Sequence, residues 1–171
     1  SLGGFVCPAT VITADLWKLG QLRAGDKLRF VPVSMDEAVA AEGHQQQCIA
    51  SLSGPAETPT QIQPLASPIV QRLSADDYGD EILYRVAGDQ FLLVEYGPLE
   101  LDIRLRFRAH ALMQHLEAIP IPGIEAMTPG IRSLQIHYDA QQLALAQLLA
   151  ELKRIEGALC GQLNQLSVPS R

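Results

Sequence analysis

Four histidines, three cysteines, an acidic run, three alternating arginines and one glycine pair are the residues of this 171-residue chain with the chemistry to bind or catalyse. His110 and His115 stand five apart, about 140° around a helix, so they cannot share a metal on one face as an i, i+4 pair would. With His44 they read as surface or interface residues. His137 lies in a strand-like run whose Leu134 and Ile136 face a core, so alternation turns it to the opposite face. Cys7, Cys48 and Cys160 are odd in number, widely spaced and without a CxxC pair, which leaves no disulfide framework and no cysteine zinc site. Asp76-Asp77-Tyr78-Gly79-Asp80-Glu81 concentrates four carboxylates in six residues, but without the spacing of a calcium loop it reads as a solvated loop before a strand. Arg104, Arg106 and Arg108 span about 400° on a helix, so they form no patch and read as a salt-bridged solvent face. Gly3-Gly4-Phe5 would let a backbone approach a ligand closely, and a simple turn explains the glycine pair equally well. There is no GxSxG, P-loop or GxGxxG and no Ser-His-Asp order, and hence no self-contained catalytic set.

These residues have to be positioned by elements that the pattern supplies in two blocks. Gly3 to Ile12 is apolar and β-branched, Thr13 could cap a short helix through Leu19, and Arg23-Ala24-Gly25-Asp26 turns into Lys27 to Val33, where Leu28 and Phe30 alternate with Lys27 and Arg29. Two or three strands cannot close a core, so 1–33 reads as the end of a larger barrel or sandwich. Ser34-Met35-Asp36-Glu37 is a capping box that starts a helix. A Pro-, Ser- and Thr-rich stretch from Ser53 to Pro64 reads as a linker.

Beyond it one unit occurs twice. Ile82 to Val86 and Phe91 to Tyr96 bracket the turn candidate Ala87-Gly88-Asp89-Gln90, and a helix follows from about Leu101 to Ala118. Ile124 to Met127, the Thr128-Pro129-Gly130 turn and Ile131 to Tyr138 repeat the order, with Asp139 as cap of a last helix striped by Leu145, Leu148, Leu149, Leu152, Ile155 and Leu159. Strand, strand, helix, twice over, predicts an α+β domain at 67–160: one antiparallel four-stranded sheet in two layers, with two helices on one face.

Composition excludes more than it assigns. With 47% hydrophobic residues the chain is globular rather than disordered, and a net charge of −6 with no basic run argues against a nucleic-acid partner. No apolar stretch approaches the roughly 20 residues of a membrane span, and no secretory signal opens the chain. Cysteine usage makes a reducing cytoplasm the default location. A start without Met and an uncapped Val168-Pro169-Ser170-Arg171 end read as a piece excised from a longer protein.

Several runs resemble known families. Gly3-Gly4-Phe5-Val6-Cys7-Pro8-Ala9-Thr10-Val11, Ala14-Asp15-Leu16-Trp17-Lys18-Leu19-Gly20-Gln21-Leu22 and Gly25-Asp26-Lys27-Leu28-Arg29-Phe30 resemble the closing segment of allophanate hydrolase subunit 2 domains. Leu83-Tyr84-Arg85, Ala87-Gly88-Asp89, Glu95-Tyr96-Gly97, the run Leu101 to Met113 and Thr128-Pro129-Gly130-Ile131-Arg132-Ser133-Leu134 resemble the start of allophanate hydrolase subunit 1, the kinase-inhibitor-like family. Subunit 2 running into subunit 1 is similar to the carboxyltransferase region of the urea carboxylase and urea amidolyase family.

The resemblance implies four segments: 1–33 as the last strands of a cyclophilin-like β-barrel, 34–66 as helix and linker, 67–160 as the α+β domain, and 161–171 as a tail leading to a missing cyclophilin-like domain. It implies a biotin-dependent ligase in which carboxybiotin delivers its carboxyl group to urea, giving allophanate, with this piece catalytically incomplete on its own. Biotin, ATP and magnesium would be handled by other domains, so the implied partners are a biotin carboxylase, a biotin carrier and the remaining carboxyltransferase, with a homo-oligomer left open. The resemblance places Gly3, Gly4, Phe5 and Thr10 near the subunit 2 pocket. Arg132 is a further substrate-binding candidate, since a guanidinium grips a carboxylate at two points. Catalytic residues stay unassigned and no metal site is expected. The other reading is a non-catalytic interaction module, as in a Kip-type kinase inhibitor or a 5-oxoprolinase subunit.

Overall fold

Which side of each strand meets a core follows from alternation, and the computed structural model, which describes residues 9–54 and 67–160, carries that alternation through the sheet. Strand β2 (Ile82–Val86) buries Ile82, Tyr84 and Val86; β3 (Phe91–Tyr96) buries Leu92, Val94 and Tyr96; and β5 (Ser133–Tyr138) buries Leu134, Ile136 and Tyr138. Strand β4 (Ile124–Pro129) runs along the outer edge beside β5. The pairing is antiparallel throughout, with Ile82 opposite Tyr96, Val86 opposite Leu92, and Val94 opposite Leu134.

The sheet has five strands rather than the four expected, in the order β1-β2-β3-β5-β4. The additional strand, β1 (Ile69–Leu73), follows the Pro-rich stretch and is short; a bulge between Ile69 and Gln71 breaks its alternation, which is why periodicity did not reveal it. The architecture is α+β. Helix α4 (Ile103–Ala118) packs on β3, β4 and β5, and α5 (Leu145–Cys160) packs on α4. Together they cover one face, with Leu105, Leu112, Leu116, Leu148 and Leu152 fully buried.

Helix starts differ from expectation at three places. Helix α4 begins two residues late because Asp102 is its cap, its carboxylate accepting from the Arg104 N–H at 2.8 Å. Asp139 does not cap α5. Its carboxylate and carbonyl instead accept from the Gln141 and Leu143 N–H groups, closing a turn before the helix. Gly123 makes the approach to that turn possible: at φ +95° a Cβ there would lie 2.7 Å from the Leu143 Cβ. The acidic run is not a plain loop, since Ser74 caps a one-turn helix, α3 (Ala75–Tyr78).

The described residues fall into two compact units, 9–54 with 87–89, and 67–86 with 90–160. The first holds a 3-10 turn at Thr13–Asp15, helix α1 (Leu16–Leu19) and helix α2 (Met35–Ser51). The capping box at α2 forms in full: Ser34 Oγ accepts from the Glu37 N–H, while the Glu37 carboxylate accepts from the Ser34 N–H at 2.7 Å. The turn at Arg23–Asp26 closes, but residues 27–33, expected as a strand, pair with nothing among the described residues. The linker expected over 53–64 lies almost wholly outside the described residues, as does the 161–171 tail.

Candidate functional site

Side chains that could do chemistry gather in three places. The first lies beneath the covered face of the sheet, where a glutamate interrupts the apolar stripe of α5. Glu156 is fully buried; its Oε1 accepts from the Tyr96 hydroxyl and its Oε2 from Arg108 Nη2 at 3.3 Å. Arg108 is buried too, lies 5.2 Å over the Tyr96 ring, and sends Nη1 to Asp80 at 3.0 Å. Burial pushes the Glu156 carboxyl above its ordinary range, opposed by the Tyr96 hydrogen bond and by the positive charge of Arg108. The Tyr96 and Tyr84 phenols are raised as well, first by burial and then by the Glu156 carboxylate.

This cluster corrects the reading of Arg104, Arg106 and Arg108 as one solvent face. Arg104 is exposed and paired with Asp102, and Arg106 donates to the Gly130 carbonyl, but Arg108 belongs to the core. The signal was in the spacing. Arg108 stands three after Leu105 and four before Leu112, and Glu156 stands four after Leu152, so both sit on the stripes that face the core.

The second place is the other face of the sheet. Glu95 is gripped by two arginines, Arg85 Nε on Oε2 and Arg132 Nη2 on Oε1, each at 2.9 Å. Arg132 also sends Nη1 to the Tyr96 and Gly97 carbonyls at 3.3 and 3.1 Å. This substrate-binding candidate is thus committed to holding the β5 start beside the β3 end. On the same face His137 stacks on Phe91 with centroids 4.5 Å apart, its Nδ1 lying 3.2 Å from Glu125. The expected outward orientation of His137 is what the fold adopts.

The third place is in the first unit. Asp89, buried at the hairpin tip, accepts from the Thr13 N–H at 2.8 Å and from its hydroxyl at 2.9 Å. Thr13 therefore does not cap its helix; a carboxylate 76 positions later in the chain does. Nothing local signals such a partner. Thr10 is exposed, its methyl 3.1 Å from where a Cβ on Gly88 would stand. Gly3, Gly4 and Phe5 lie outside the described residues. Thr10 and Arg132 belong to different units.

None of these clusters has the form of a cofactor or metal site. Among the described residues no group of three or more His, Cys, Asp or Glu is placed to hold a metal, and Cys48 and Cys160 are free thiols. In each of the three clusters the polar contacts join segments distant in the chain. The site is a framework: a sheet whose charged groups fix strand ends and helices in place.

A two-layer α+β domain held in this way is the form taken here by a carboxyltransferase domain. The model of the carboxyltransferase domain family, subdomain C and D, matches residues 82–168, just over half of the chain, and the model for subdomain A and B matches residues 1–32. The chain belongs to the carboxyltransferase domain family. It is 33% identical over 161 residues to the urea amidolyase of Saccharomyces cerevisiae, covering 91% of this chain and 9% of that protein. Among solved structures it is similar to the K. lactis urea amidolyase, with a TM-score of 0.83, 35% identity, and coverage of 91% of this chain and 10% of that one. The Kluyveromyces lactis urea carboxylase gives a TM-score of 0.82 at 34% identity, covering 91% and 14%. The chain thus spans about a tenth of the length of the relatives it matches.

Proposed function

We propose that this chain forms part of the carboxyltransferase of a biotin-dependent urea carboxylase, which moves a carboxyl group from carboxybiotin to urea and releases allophanate. The observation that carries the reading is the order of the two family matches, subdomain A and B ending at residue 32 and subdomain C and D beginning at residue 82, within one polypeptide similar to urea amidolyases over nine-tenths of its length. That order also favours this reading over a separate Kip-type or 5-oxoprolinase subunit.

Biotin and ATP with magnesium belong to other parts of the parent enzyme, namely the biotin carboxylase, the biotin carrier and the rest of the carboxyltransferase. The three polar clusters described above do not fit these groups, because Glu156 with Arg108, Glu95 with Arg85 and Arg132, and Asp89 with Thr13 are committed to one another, and among the described residues no cluster is placed to hold a metal. No reaction step is therefore assigned to them. Their part is to hold the architecture on which the site is built. The segment roles stay those of the sequence reading: 1–33 as the end of a barrel, 34–66 as helix and linker, 67–160 as the scaffold domain and 161–171 as a tail. Gly3, Gly4, Phe5 and Thr10 are the residues proposed to approach substrate, with Arg132 beside them in the proposal, and the enzyme is placed in the cytoplasm.

The test is capture of biotinylated proteins from the source cells, followed by peptide mass spectrometry and assay of urea-dependent ATP hydrolysis. Peptides of this sequence in one large biotin-bearing chain, with urea-stimulated hydrolysis, are the expected result. Their appearance only in a short chain without biotin would overturn the reading.

A further inference from the structure

We propose that Asp89 is a positioning residue: from the tip of the β2–β3 hairpin it fixes the segment from Thr10 to Thr13, and so sets where the Thr10 hydroxyl stands for substrate. The second half of that statement rests on the proposed function above, which puts Thr10 beside substrate, while the first stands on geometry alone. A hairpin tip ordinarily lies in water, yet Asp89 is only 4% exposed. A carboxylate buried to that degree has to be met by donors, and both of its oxygens are. Oδ2 accepts from the Thr13 N–H at 2.8 Å and Oδ1 from the Thr13 hydroxyl at 2.9 Å. One carboxylate thus holds the backbone and the side chain of the same residue, which fixes the direction of the chain there as well as its distance.

The tip meets the segment again three residues earlier. Gly88, at φ +105°, leaves room for Thr10, whose methyl lies 3.1 Å and whose Cβ lies 3.8 Å from where a Cβ on Gly88 would stand, while the Thr10 hydroxyl is beyond 4 Å. The methyl is therefore turned to the tip and the hydroxyl away from it, on a residue that is exposed. A hydroxyl both donates and accepts, so it suits urea, which offers N–H groups and a carbonyl. The tip falls within the subdomain C and D match and Thr13 within that of subdomain A and B, yet residues 87–89 belong to the same compact unit as Thr13. A loop of one subdomain is thus built into the other, next to a proposed substrate contact.

The experiment compares Asp89→Ala, Asp89→Asn and Thr13→Val in the full-length polypeptide, reading kcat and the KM for urea in ATP hydrolysis and the hydrogen exchange of peptides that span 9–16. Asp89→Ala should raise the KM for urea about tenfold or more with kcat changed less than about threefold, because a displaced binding contact is lost from ground state and transition state alike. The same variant should speed exchange of the 9–16 peptides about tenfold or more. Asp89→Asn keeps an acceptor for the Thr13 N–H and offers its hydroxyl a donor, so both readouts should return to within about threefold of wild type. ATP hydrolysis without urea should stay at the wild-type rate in Asp89→Ala, which shows that the variant folds. Should it not fold, Thr13→Val, which loses only the hydroxyl bond, should raise the KM for urea about threefold. An unchanged KM in the folded variant would overturn the proposal, as would a loss that Asp89→Asn does not restore. A wild type without any urea response would remove the urea carboxylase reading, and exchange would then decide alone: protection of 9–16 that is lost in Asp89→Ala and restored in Asp89→Asn upholds the hold of Asp89 on the segment, and unchanged exchange overturns it.

Discussion

Glu95 and Tyr96 are neighbours on β3, and alternation sends them to opposite faces of the sheet, where each joins a cluster built from a glutamate and arginine. On one face Glu95 keeps contact with water and is held by Arg85 and Arg132. On the other, Tyr96 reaches Glu156, a carboxylate with no exposure, and shares it with Arg108. The pairings look alike, but the energetics do not. A partly buried group that keeps some contact with water gives up less hydration on pairing, whereas the Arg108–Glu156 pair gives up hydration on both ions, so each partner becomes indispensable to the other. The buried cluster is thus where the fold is most brittle, and the open one is where a charge can be changed.

The largest effect expected is at Arg108. Arg108→Leu strands the Glu156 carboxylate in the core and should cost about 3 to 5 kcal/mol, read as a shift in urea unfolding. Replacing both ions with leucine should recover much of that loss, because the penalty lies in the unpaired charge. If the double variant is no better than the single one, packing around Arg108 and not charge is what matters, and the contrast between the faces collapses.

Proton linkage sharpens the same point. Burial raises the native carboxyl of Glu156 above the ordinary 4.5, so the folded protein binds its proton more tightly than the unfolded chain does. The stability this contributes is fully present below pH 4.5 and is lost as pH rises through the raised native value. Glu156→Gln carries no such proton. The stability of the wild type relative to this variant should therefore fall with rising pH over that window, and a flat difference would mean the carboxyl is held near its ordinary value by Arg108 and Tyr96.

On the open face the expected cost is smaller. Arg132→Met removes the bonds to Glu95 and to the Tyr96 and Gly97 carbonyls, part-buried contacts whose glutamate keeps Arg85 as a second partner, so about 1 to 3 kcal/mol should be lost. Under the proposed function the same variant, made in the full-length enzyme, would also weaken the response to urea. A loss of stability with urea dependence unchanged would confine Arg132 to the framework.

How much of this was legible before any coordinates depended on range. The β2 and β3 limits, the inward faces of Leu134, Ile136 and Tyr138, and the Ser34 cap all follow from residues a few positions apart, and the fold matches them. What was missed is non-local or irregular. Asp89 caps a turn 76 positions away, β1 loses its alternation to a bulge, and Asp139 satisfies its own turn in place of a helix. Arg108 and Glu156 fall between these cases. Their positions on apolar stripes were readable, but charged residues there look like breaks in a pattern until each is known to have a partner. Of the proposed substrate residues, Gly3, Gly4 and Phe5 were suggested by a glycine pair and a resemblance, and both signals describe a loop without saying what it faces.

A third carboxylate completes the series and carries the smallest effect. Glu37 sits in the first turn of α2, accepting from both the Ser34 N–H and its hydroxyl, with the Ser34 oxygen accepting in return from the Glu37 N–H. Here a carboxylate needs no arginine, since the helix N-terminus supplies the donors and a favourable dipole. Ser34→Ala deletes one half of the box and leaves the other, so about 1 kcal/mol should be lost, read as a small drop in the unfolding midpoint. The residual bond from the Ser34 N–H to Glu37 makes a second, sharper expectation. Adding Glu37→Ala to Ser34→Ala should cost less than Glu37→Ala does alone, because the two side chains act as one cap. Strict additivity would mean that each side chain satisfies the other residue's N–H independently, and that this carboxylate, unlike Glu156, can be removed without its partner noticing.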